Sequence, residues 1–205
     1  MTDNEDSENI TDTEFAKKAS AHIEPILKYL DTEDIIIDNE KIIELFVKLW
    51  KYEDGEHLDA ATQKLTIIGL FIYTTHNVLE DYNIRMDRAR QHITHALHEW
   101  VKPNLDKAIT EEKKSNNPFK AFVDSNQKNI DEVFSWEHFM PDVKKATEVE
   151  LNLKLKKCWF AEFFIRFGRV DYIPTACEFD KIPWDARKDY VDLKLTNLFA
   201  KLGTM

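Results

Sequence analysis

The feature that most constrains the fold is a change in the spacing of apolar residues at Cys158. From Glu148 to Lys156 polar and apolar residues alternate, and this period of two predicts a strand with one apolar face. From Trp159 to Phe167 the phenylalanines recur at helical spacing, which predicts a helix that begins directly after Cys158. Gly168 follows, and glycine tolerates the left-handed conformation with which many helices end.

Cys158 therefore lies at a strand-to-helix junction, beside Lys156 and Lys157. A helix N-terminus and neighbouring cations both favour a thiolate, which is the form in which cysteine acts as a nucleophile. The pattern thus predicts a thiol with a lowered pKa. The alternative interpretation is that Cys158 is a small buried hydrophobic residue, as most free cysteines are.

The stretch from Lys157 to Asp185 resembles the core of the L-2-amino-thiazoline-4-carboxylic acid hydrolase family. The resemblance covers about the last third of the chain. It consists of a cysteine followed by Ala-Glu, a Phe-rich helix closed by glycine, and then Cys-x-x-Asp. These features fall on Cys158, Ala161, Glu162, Gly168, Cys177 and Asp180.

The resemblance implies a hydrolase that acts on a small cyclic amidine or thioimidate, such as an aminothiazoline carboxylate, or on a related amine-bearing metabolite in biosynthesis. Ring opening needs a nucleophile, either a cysteine or an activated water, and a proton for the departing sulfur. Cys158 and Cys177 are the candidates for nucleophile and partner, and Asp180 is the candidate proton donor or orienting group. The expected substrate-binding residues are Glu162, Trp159 and Glu178.

We expect the two thiols and Asp180 to share one pocket, although 19 positions separate the cysteines in the sequence. Gly168 lets the chain reverse, and Pro174 suits the first turn of a second helix. On that helix Cys177 and Asp180 are three residues apart, hence on one face. Aromatic side chains that exclude water there are predicted to raise the pKa of Asp180.

One departure from the family pattern favours a rival function. The family usually continues into a strand, a glycine turn and a third cysteine, whereas this chain ends in LKLTNLFAKLGTM without one, so either the chain is shortened or it departs from the family pattern. No histidine lies close in sequence to either thiol. A non-catalytic protein that binds small molecules or assembles on the same scaffold is therefore the alternative.

The remainder of the chain predicts a helix-dominated α+β fold. Residues 1–12 are polar and acidic and predict a disordered tail, ahead of one globular domain over residues 13–205. Helices are expected through residues 13–140, with a break at Pro25, an N-cap at Asp38, and an end before Pro103. The α+β core is expected over residues 148–205 as strand–helix–helix–strand.

The second strand of that core is predicted at Val191 to Asn197, antiparallel to the first. Two strands make a poor sheet by themselves, so the edges need a further strand, a covering helix or a partner chain. A homodimer is one expected solution.

Composition excludes several classes of function. The net charge of −10 argues against binding to a nucleic-acid backbone, and 4 glycines leave no glycine-rich phosphate loop. With 2 cysteines, no signal-peptide pattern and no apolar run long enough to span a bilayer, the sequence predicts a cytoplasmic protein without a membrane partner. No cofactor is expected.

A histidine-rich face offers one further alternative. His92, His95 and Glu99 fall on one side of a predicted helix, where nitrogen and oxygen ligands could hold a metal ion. The spacing matches no established ligand motif, so we expect these side chains to be partly exposed and free of metal. A histidine-based helical metalloenzyme is the alternative that this face leaves open.

Overall fold

A computed structural model describes residues 13–30, 37–132 and 137–194, with only the backbone described for residues 126–132. The described residues group into two compact units. The first contains residues 13–30, 37–59 and 66–100, and the second contains residues 60–65, 101–132 and 137–194. The predicted tail, residues 1–12, lies outside the described residues, and the single globular domain over residues 13–205 stays a prediction.

The described helices of the first unit begin where the sequence places their signals. Helix α1 covers residues 13–20, α2 is Glu24–Leu27 and α3 is Asn39–Tyr52. The expected break at Pro25 is confirmed, because a turn separates α1 from α2 and the proline lies in the first turn of α2. Asp38 caps α3 as predicted, since its carboxylate accepts a hydrogen bond from the Glu40 backbone N–H at 3.1 Å.

The turn after α3 is fitted to a tryptophan. A 3₁₀ turn at Gly55–His57 follows the left-handed residue Asp54, and a Cβ placed on Gly55 would lie 2.2 Å from the Trp50 ring. The Trp50 indole is fully buried and donates a hydrogen bond from Nε1 to Glu56 at 3.1 Å. Only glycine leaves room for this contact, so position 55 fixes how the turn packs on α3.

Helix α4 is Ala60–Asp81 and helix α5 is Met86–Glu112. The prediction that α5 ends before Pro103 is wrong, because the helix continues through this residue. Proline removes one N–H from a helix, at a cost of about 3 kcal/mol. Pro103 is exposed, so water can reach the carbonyl it leaves behind, while the next turn buries Leu105. The packing gained beyond the proline outweighs the lost hydrogen bond.

The second unit holds helix α6 (Pro118–Glu132), strand β1 (Pro141–Ala146), strand β2 (Leu151–Leu155), helix α7 (Trp159–Arg166) and helix α8 (Ile173–Asp185). The change of period at Cys158 is confirmed, because β2 precedes this residue and α7 follows it. The strand is shorter than the predicted range from Glu148 to Lys156. Thr147 accounts for this, since its hydroxyl accepts the Glu150 N–H at 3.0 Å in the turn before β2.

The partner of β2 is β1, and the prediction that Val191 to Asn197 pairs with it is wrong for the part described. Residues 191–194 form no strand, and the rest of that segment lies outside the described residues. The two strands form an antiparallel hairpin with Val143 opposite Leu153 and an irregularity between Val143 and Lys145. A tight hairpin closes a short loop, which costs less entropy than pairing with a segment some forty residues away.

The fold is therefore α+β and dominated by helices, with a small antiparallel sheet near the C-terminus. Helices α1 to α6 precede the hairpin, and α7 and α8 follow it. The order from β1 onward is therefore strand–strand–helix–helix instead of the predicted strand–helix–helix–strand. No helix within the described ranges is both long and apolar enough to cross a lipid bilayer.

Candidate functional site

Cys158 is the last extended residue before α7, with φ −136° and ψ 111°. The apolar face of α7 explains why the chain turns inward here. Phe160, Phe163 and Phe164 are almost completely buried. Cys158 is buried with them, and its exposed fraction is 8%. The thiol thus lies at the N-terminal end of a short aromatic helix, as the sequence predicts.

The chain then reverses and returns along α8. Gly168 adopts the left-handed conformation with φ 69°, and the Arg169 N–H bonds to the Phe164 carbonyl at 2.8 Å, which closes α7 in the manner of a Schellman motif. Tyr172 packs edge to face on Phe164, and Pro174 lies in the first turn of α8. Helix α7 packs against α8. Asp180 and Cys177, both on α8, lie near enough to the start of α7 for their charges to act on the Cys158 thiol.

Burial dominates the electrostatics of Cys158. Desolvation is the main reason that the pKa of its thiol is raised to about 12, and the nearby charges of Asp180 and Cys177 contribute in the same direction. The backbone N–H groups of Phe160 and Ala161 act in the opposite direction, although neither completes a capping hydrogen bond. The structure therefore brings both thiols and the carboxyl into one electrostatic cluster.

The prediction of a lowered pKa at Cys158 is wrong, and the neighbouring lysines show part of the reason. Lys156 pairs with Asp142 at 3.2 Å, while Lys157 pairs with Glu162 at 3.1 Å and donates to the Glu137 carbonyl at 2.9 Å. Both ammonium groups are thus engaged by other acceptors. The helix N-terminus does lower the pKa of the thiol as expected, but the effect of burial is larger.

Asp180 behaves as the sequence predicts. Its position on α8 is half-buried, and desolvation raises the pKa of its carboxyl to about 7. Among the described residues, none donates a hydrogen bond to this carboxyl or forms an ion pair with it. Near neutral pH Asp180 is therefore present in both protonation states, which is the condition in which a carboxyl can accept and return a proton.

The expected substrate-binding residues lie around this cluster with partners of their own. Glu162 is exposed and pairs with Lys157, and Glu178 is exposed and pairs with Lys181 at 2.8 Å. Trp159 is half-buried, and its ring stacks on Phe163 with centroids 4.8 Å apart. Their role in binding a substrate stays a prediction.

The histidine face belongs to the first unit. His95 is exposed and His92 and Glu99 are partly exposed, which confirms the expected exposure, and His98 contacts Glu99 at 3.1 Å. Within the described ranges, no three His, Cys, Asp or Glu side chains are arranged to hold a metal ion. The geometry thus gives no support to a metal site at His92, His95 and Glu99.

A second buried polar cluster lies in the second unit, and sequence reasoning missed it. Arg187 donates from Nε and Nη2 to the two carboxylate oxygens of Glu112 at 2.7 and 2.6 Å, and Tyr190 donates to Glu112 at 2.5 Å. Desolvation raises the pKa of Tyr190 to about 12. The Arg187 guanidinium also lies over the Phe122 ring. Because 75 residues separate Glu112 from Arg187, no local sequence pattern predicts this ion pair.

The first cluster is the better candidate for chemistry. It combines two thiols that are not in a disulfide with a carboxyl whose pKa is about 7, next to a helix whose aromatic side chains limit access of water. Comparison with known proteins finds no family model that matches the chain, and no curated protein or solved structure that matches it. The resemblance to the aminothiazoline carboxylate hydrolases accordingly stays a prediction.

Proposed function

We infer that the chain is a hydrolase-like enzyme that opens a small cyclic amidine or thioimidate, with Asp180 as its acid–base group. The observation that carries this proposal is the Asp180 carboxyl, whose pKa is raised to about 7 by desolvation beside the Cys158 thiol. A general acid–base group works best when its pKa lies near the working pH. The quoted resemblance supplies the class of substrate.

The raised pKa of Cys158 changes which nucleophile is favoured. A thiol with a pKa of about 12 is almost entirely protonated at neutral pH, so an activated water becomes the better candidate. The Asp180 carboxylate takes a proton from water as the oxygen adds to the amidine carbon. The C=N electron pair moves to the amidine nitrogen, which takes the remaining proton of the added hydroxyl as the carbonyl forms. When the ring carbon–sulfur bond breaks, Asp180 returns its proton to the departing sulfur. One water is consumed and one thiol is released, and no cofactor takes part.

In this scheme the two protein thiols stay neutral. Cys158 and Cys177 would line the site as weak hydrogen-bond donors toward the reacting atoms. Glu162 and Glu178 would attract the ammonium or amidinium of the substrate, and Trp159 would cover its ring. A small-molecule substrate, a cytoplasmic setting that keeps both thiols reduced, and pairing of two chains through the hairpin edges belong to the same proposal.

The test is turnover of an aminothiazoline carboxylate, followed by the free thiol that ring opening releases. We expect many equivalents of thiol per chain, which separates turnover from titration of the protein's own cysteines. Asp180→Asn should lower kcat by about a hundredfold or more. Asp189→Asn is the matched control, because this exposed carboxylate pairs with Lys113 at 3.0 Å, and it should retain wild-type turnover.

The second candidate function is binding without turnover, and the neutral, buried thiol of Cys158 is the observation that favours it. A binding protein would gain thermal stability in the presence of the ligand and release no thiol. Loss of turnover in both Asp180→Asn and Asp189→Asn, or equal turnover in both, would remove Asp180 from the mechanism.

A further inference from the structure

The hairpin of β1 and β2 has two outer edges, and only one of them is protected against pairing with another chain. The edge strand β1 begins with Pro141, which has no N–H to donate. The irregularity after Val143 leaves Lys144 without a residue opposite it, and Lys145 follows. Proline, lysine and bulges are the features with which natural sheets block their edges. Strand β2, Leu151–Leu155, has none of these blocks except one lysine, and each of its residues is paired in order with β1.

The hairpin also leaves part of an apolar face uncovered. Leu151, Leu153 and Leu155 lie on one side of β2 and are half-buried. Val143, which lies opposite Leu153 on β1, is 50% exposed. In the part of the chain that the structure describes, no third strand joins this sheet. Because a two-stranded hairpin is only marginally stable in water, an open edge beside an apolar face favours the addition of further strands.

We propose that β2 pairs antiparallel with β2 of a second copy of this chain, in the register that places Leu153 opposite the partner's Leu153. The two hairpins then form one four-stranded sheet, with a two-fold axis between the central leucines. A two-fold interface uses the same surface on both chains, so a strand that crosses it pairs with itself. The proposed function includes pairing of two chains. This inference rests on that part of it and deepens it by naming the edge and the register, while ring opening by Asp180 does not depend on it.

In this register all five residues of β2 are paired across the interface. Lys154 lies opposite the partner's Asn152, and Leu151 lies opposite the partner's Leu155, so no like charges meet within the strand. Residues that lie opposite each other in antiparallel strands project from the same face of the sheet. The leucines of the two chains therefore form one continuous apolar surface.

The neighbouring registers are less favourable. A shift by one residue places leucine opposite polar side chains and interrupts the apolar face. A shift by two residues in one direction sets Lys154 opposite the partner's Lys154, and like charges directly opposite each other are destabilising. A shift by two in the other direction pairs only residues 151–153 of the strand. Overlap and charge thus select the register centred on Leu153.

The residues next to β2 add a charge pair on each side of the axis. Glu150 lies opposite the partner's Lys156, and the two-fold symmetry makes this pair occur twice. Within one chain Glu150 already pairs with Lys145 at 2.5 Å, and Lys156 pairs with Asp142 at 3.2 Å. In the paired sheet Glu150 therefore has two lysines as neighbours, and Lys156 has two carboxylates. This charge complementarity favours a second copy of the chain as the occupant of the edge.

The first test measures the mass of the full chain by sedimentation equilibrium over a wide range of concentration. Wild type should reach twice the mass of one chain. Glu150→Lys and Lys156→Glu should each weaken self-association at least about tenfold, because each sets like charges opposite each other at two places in the interface. An equal mixture of the two variants should associate again, since every one of these pairs then joins opposite charges. Damage to the hairpin within one chain cannot produce this recovery, because mixing changes neither chain.

The second test places a cysteine at the axis. Leu153→Cys should form a disulfide between two chains under mild oxidation, because opposed residues of antiparallel strands lie within disulfide range. Val143→Cys is the matched control. It lies on the same face, but three strand spacings separate the two copies of β1, about 14 Å, so it should not form this bond. Wild type under the same oxidation shows any contribution of the native cysteines.

Three results would overturn the pairing. They are the mass of a single chain at every concentration, self-association that both charge variants leave unchanged, and failure of the mixed variants to associate. A disulfide that forms as fast at Val143→Cys as at Leu153→Cys would overturn the register. Turnover of an aminothiazoline carboxylate by Glu150→Lys, at a concentration where it is monomeric, separates the two proposals, because hydrolysis then stands whether or not the sheet forms.

Discussion

The second unit contains two polar clusters, one buried and one partly buried, that differ in how their charges are compensated. In one, both oxygens of Glu112 accept hydrogen bonds from Arg187, and Tyr190 adds a third. In the other, the Asp180 carboxyl has no hydrogen-bond donor among the described residues, and burial raises its pKa to about 7. One cluster thus satisfies its buried charge with partners, and the other shifts a pKa instead.

This difference indicates that the Glu112 cluster has a structural role and that the Asp180 cluster is the candidate for a chemical one. A carboxylate held by a bidentate arginine is fixed in its charge and position, so it joins segments of the chain and has little left to offer a ligand. A carboxyl without donors is costly to ionise, but it can exchange a proton at neutral pH. We therefore expect loss of stability when the first cluster is altered, and loss of reactivity when the second is altered.

The largest effect on stability is expected at Arg187. Arg187→Met leaves the Glu112 carboxylate buried without its guanidinium, which should lower the free energy of unfolding by about 3–5 kcal/mol. Replacing both partners, as in Glu112→Leu with Arg187→Met, should recover much of this loss because no charge stays unpaired. Unfolding in urea measures both.

The matched control for this cluster is Lys113, which pairs with Asp189 at the surface. Exposed pairs contribute about 0.2–1 kcal/mol, so Lys113→Met should change little. If Arg187→Met is no more destabilising than Lys113→Met, the cluster around Glu112 does not hold the second unit together.

The next effect is on the rate at which Cys158 is alkylated. A thiol with a pKa of about 12 has roughly three thousandfold less thiolate at pH 7 than an unperturbed cysteine, whose pKa is about 8.5. Iodoacetamide should therefore modify Cys158 far more slowly than an unperturbed cysteine, by a difference worth about 5 kcal/mol, and the more exposed Cys177 should react well before it. Peptide mapping after timed quenching measures the two rates separately.

Alkylation in concentrated urea is the internal reference, since both thiols should then react alike. Rapid modification of Cys158 at neutral pH would show that the thiol is activated. Cys158 would then replace water as the favoured nucleophile in the proposed hydrolysis.

The sequence predicts those parts of the fold that local chemistry decides. The period change at Cys158, the N-cap at Asp38 and the reversal at Gly168 each depend on residues within one or two turns. Strand β1 was not predicted, because the irregularity after Val143 interrupts the alternation of polar and apolar residues that is typical of a strand. The continuation of α5 through Pro103 was not predicted, because the tertiary packing that offsets the missing N–H depends on residues far away in the sequence.

The candidate site divides in the same way. Helix periodicity places Cys177 and Asp180 on one face of α8, and the glycine turn brings that face back toward Cys158. The pKa of Cys158 was predicted in the wrong direction because the local signals, a helix N-terminus and two lysines, all favour the thiolate. The degree of burial and the other partners of Lys156 and Lys157 emerge only when distant segments pack together.

A smaller effect on stability is expected at Asp180, and its sign follows from linkage. An unfolded aspartate has a pKa of about 3.9, whereas the folded carboxyl titrates at about 7, so the folded chain retains a proton that the unfolded chain releases. Stability from this group is complete below about pH 4 and is lost as the pH rises to about 7. Asp180→Asn should remove this slope and raise the free energy of unfolding at pH 8 by up to about 4 kcal/mol.

Urea unfolding at several pH values from 4 to 8 measures the slope. Asp189→Asn is the matched control and should keep the wild-type slope, because this side chain is exposed and pairs with Lys113 at the surface. A wild-type slope that persists in Asp180→Asn would assign the titration to another group.

The smallest effect on stability is expected at two buried threonines. It tests whether a buried polar atom without a hydrogen-bond partner is by itself evidence of a reactive site. Thr74 and Thr75 are neighbours on α4 and both are fully buried. The Thr74 hydroxyl donates to the Leu70 carbonyl at 2.8 Å, whereas the Thr75 hydroxyl has no partner among the described residues. Valine matches threonine in shape and branching, so each substitution removes a hydroxyl and changes little else.

Thr74→Val should cost about 1 kcal/mol, because it removes a hydrogen bond, while Thr75→Val should be neutral or stabilising by up to about 1 kcal/mol. Thermal or urea unfolding of the two variants compares them directly. An equal cost at both positions would mean that Thr75 has a partner in solution, such as a buried water. The expected result would mean that a missing partner alone is only a cost in stability, and that Asp180 differs from Thr75 because its group can ionise beside two thiols.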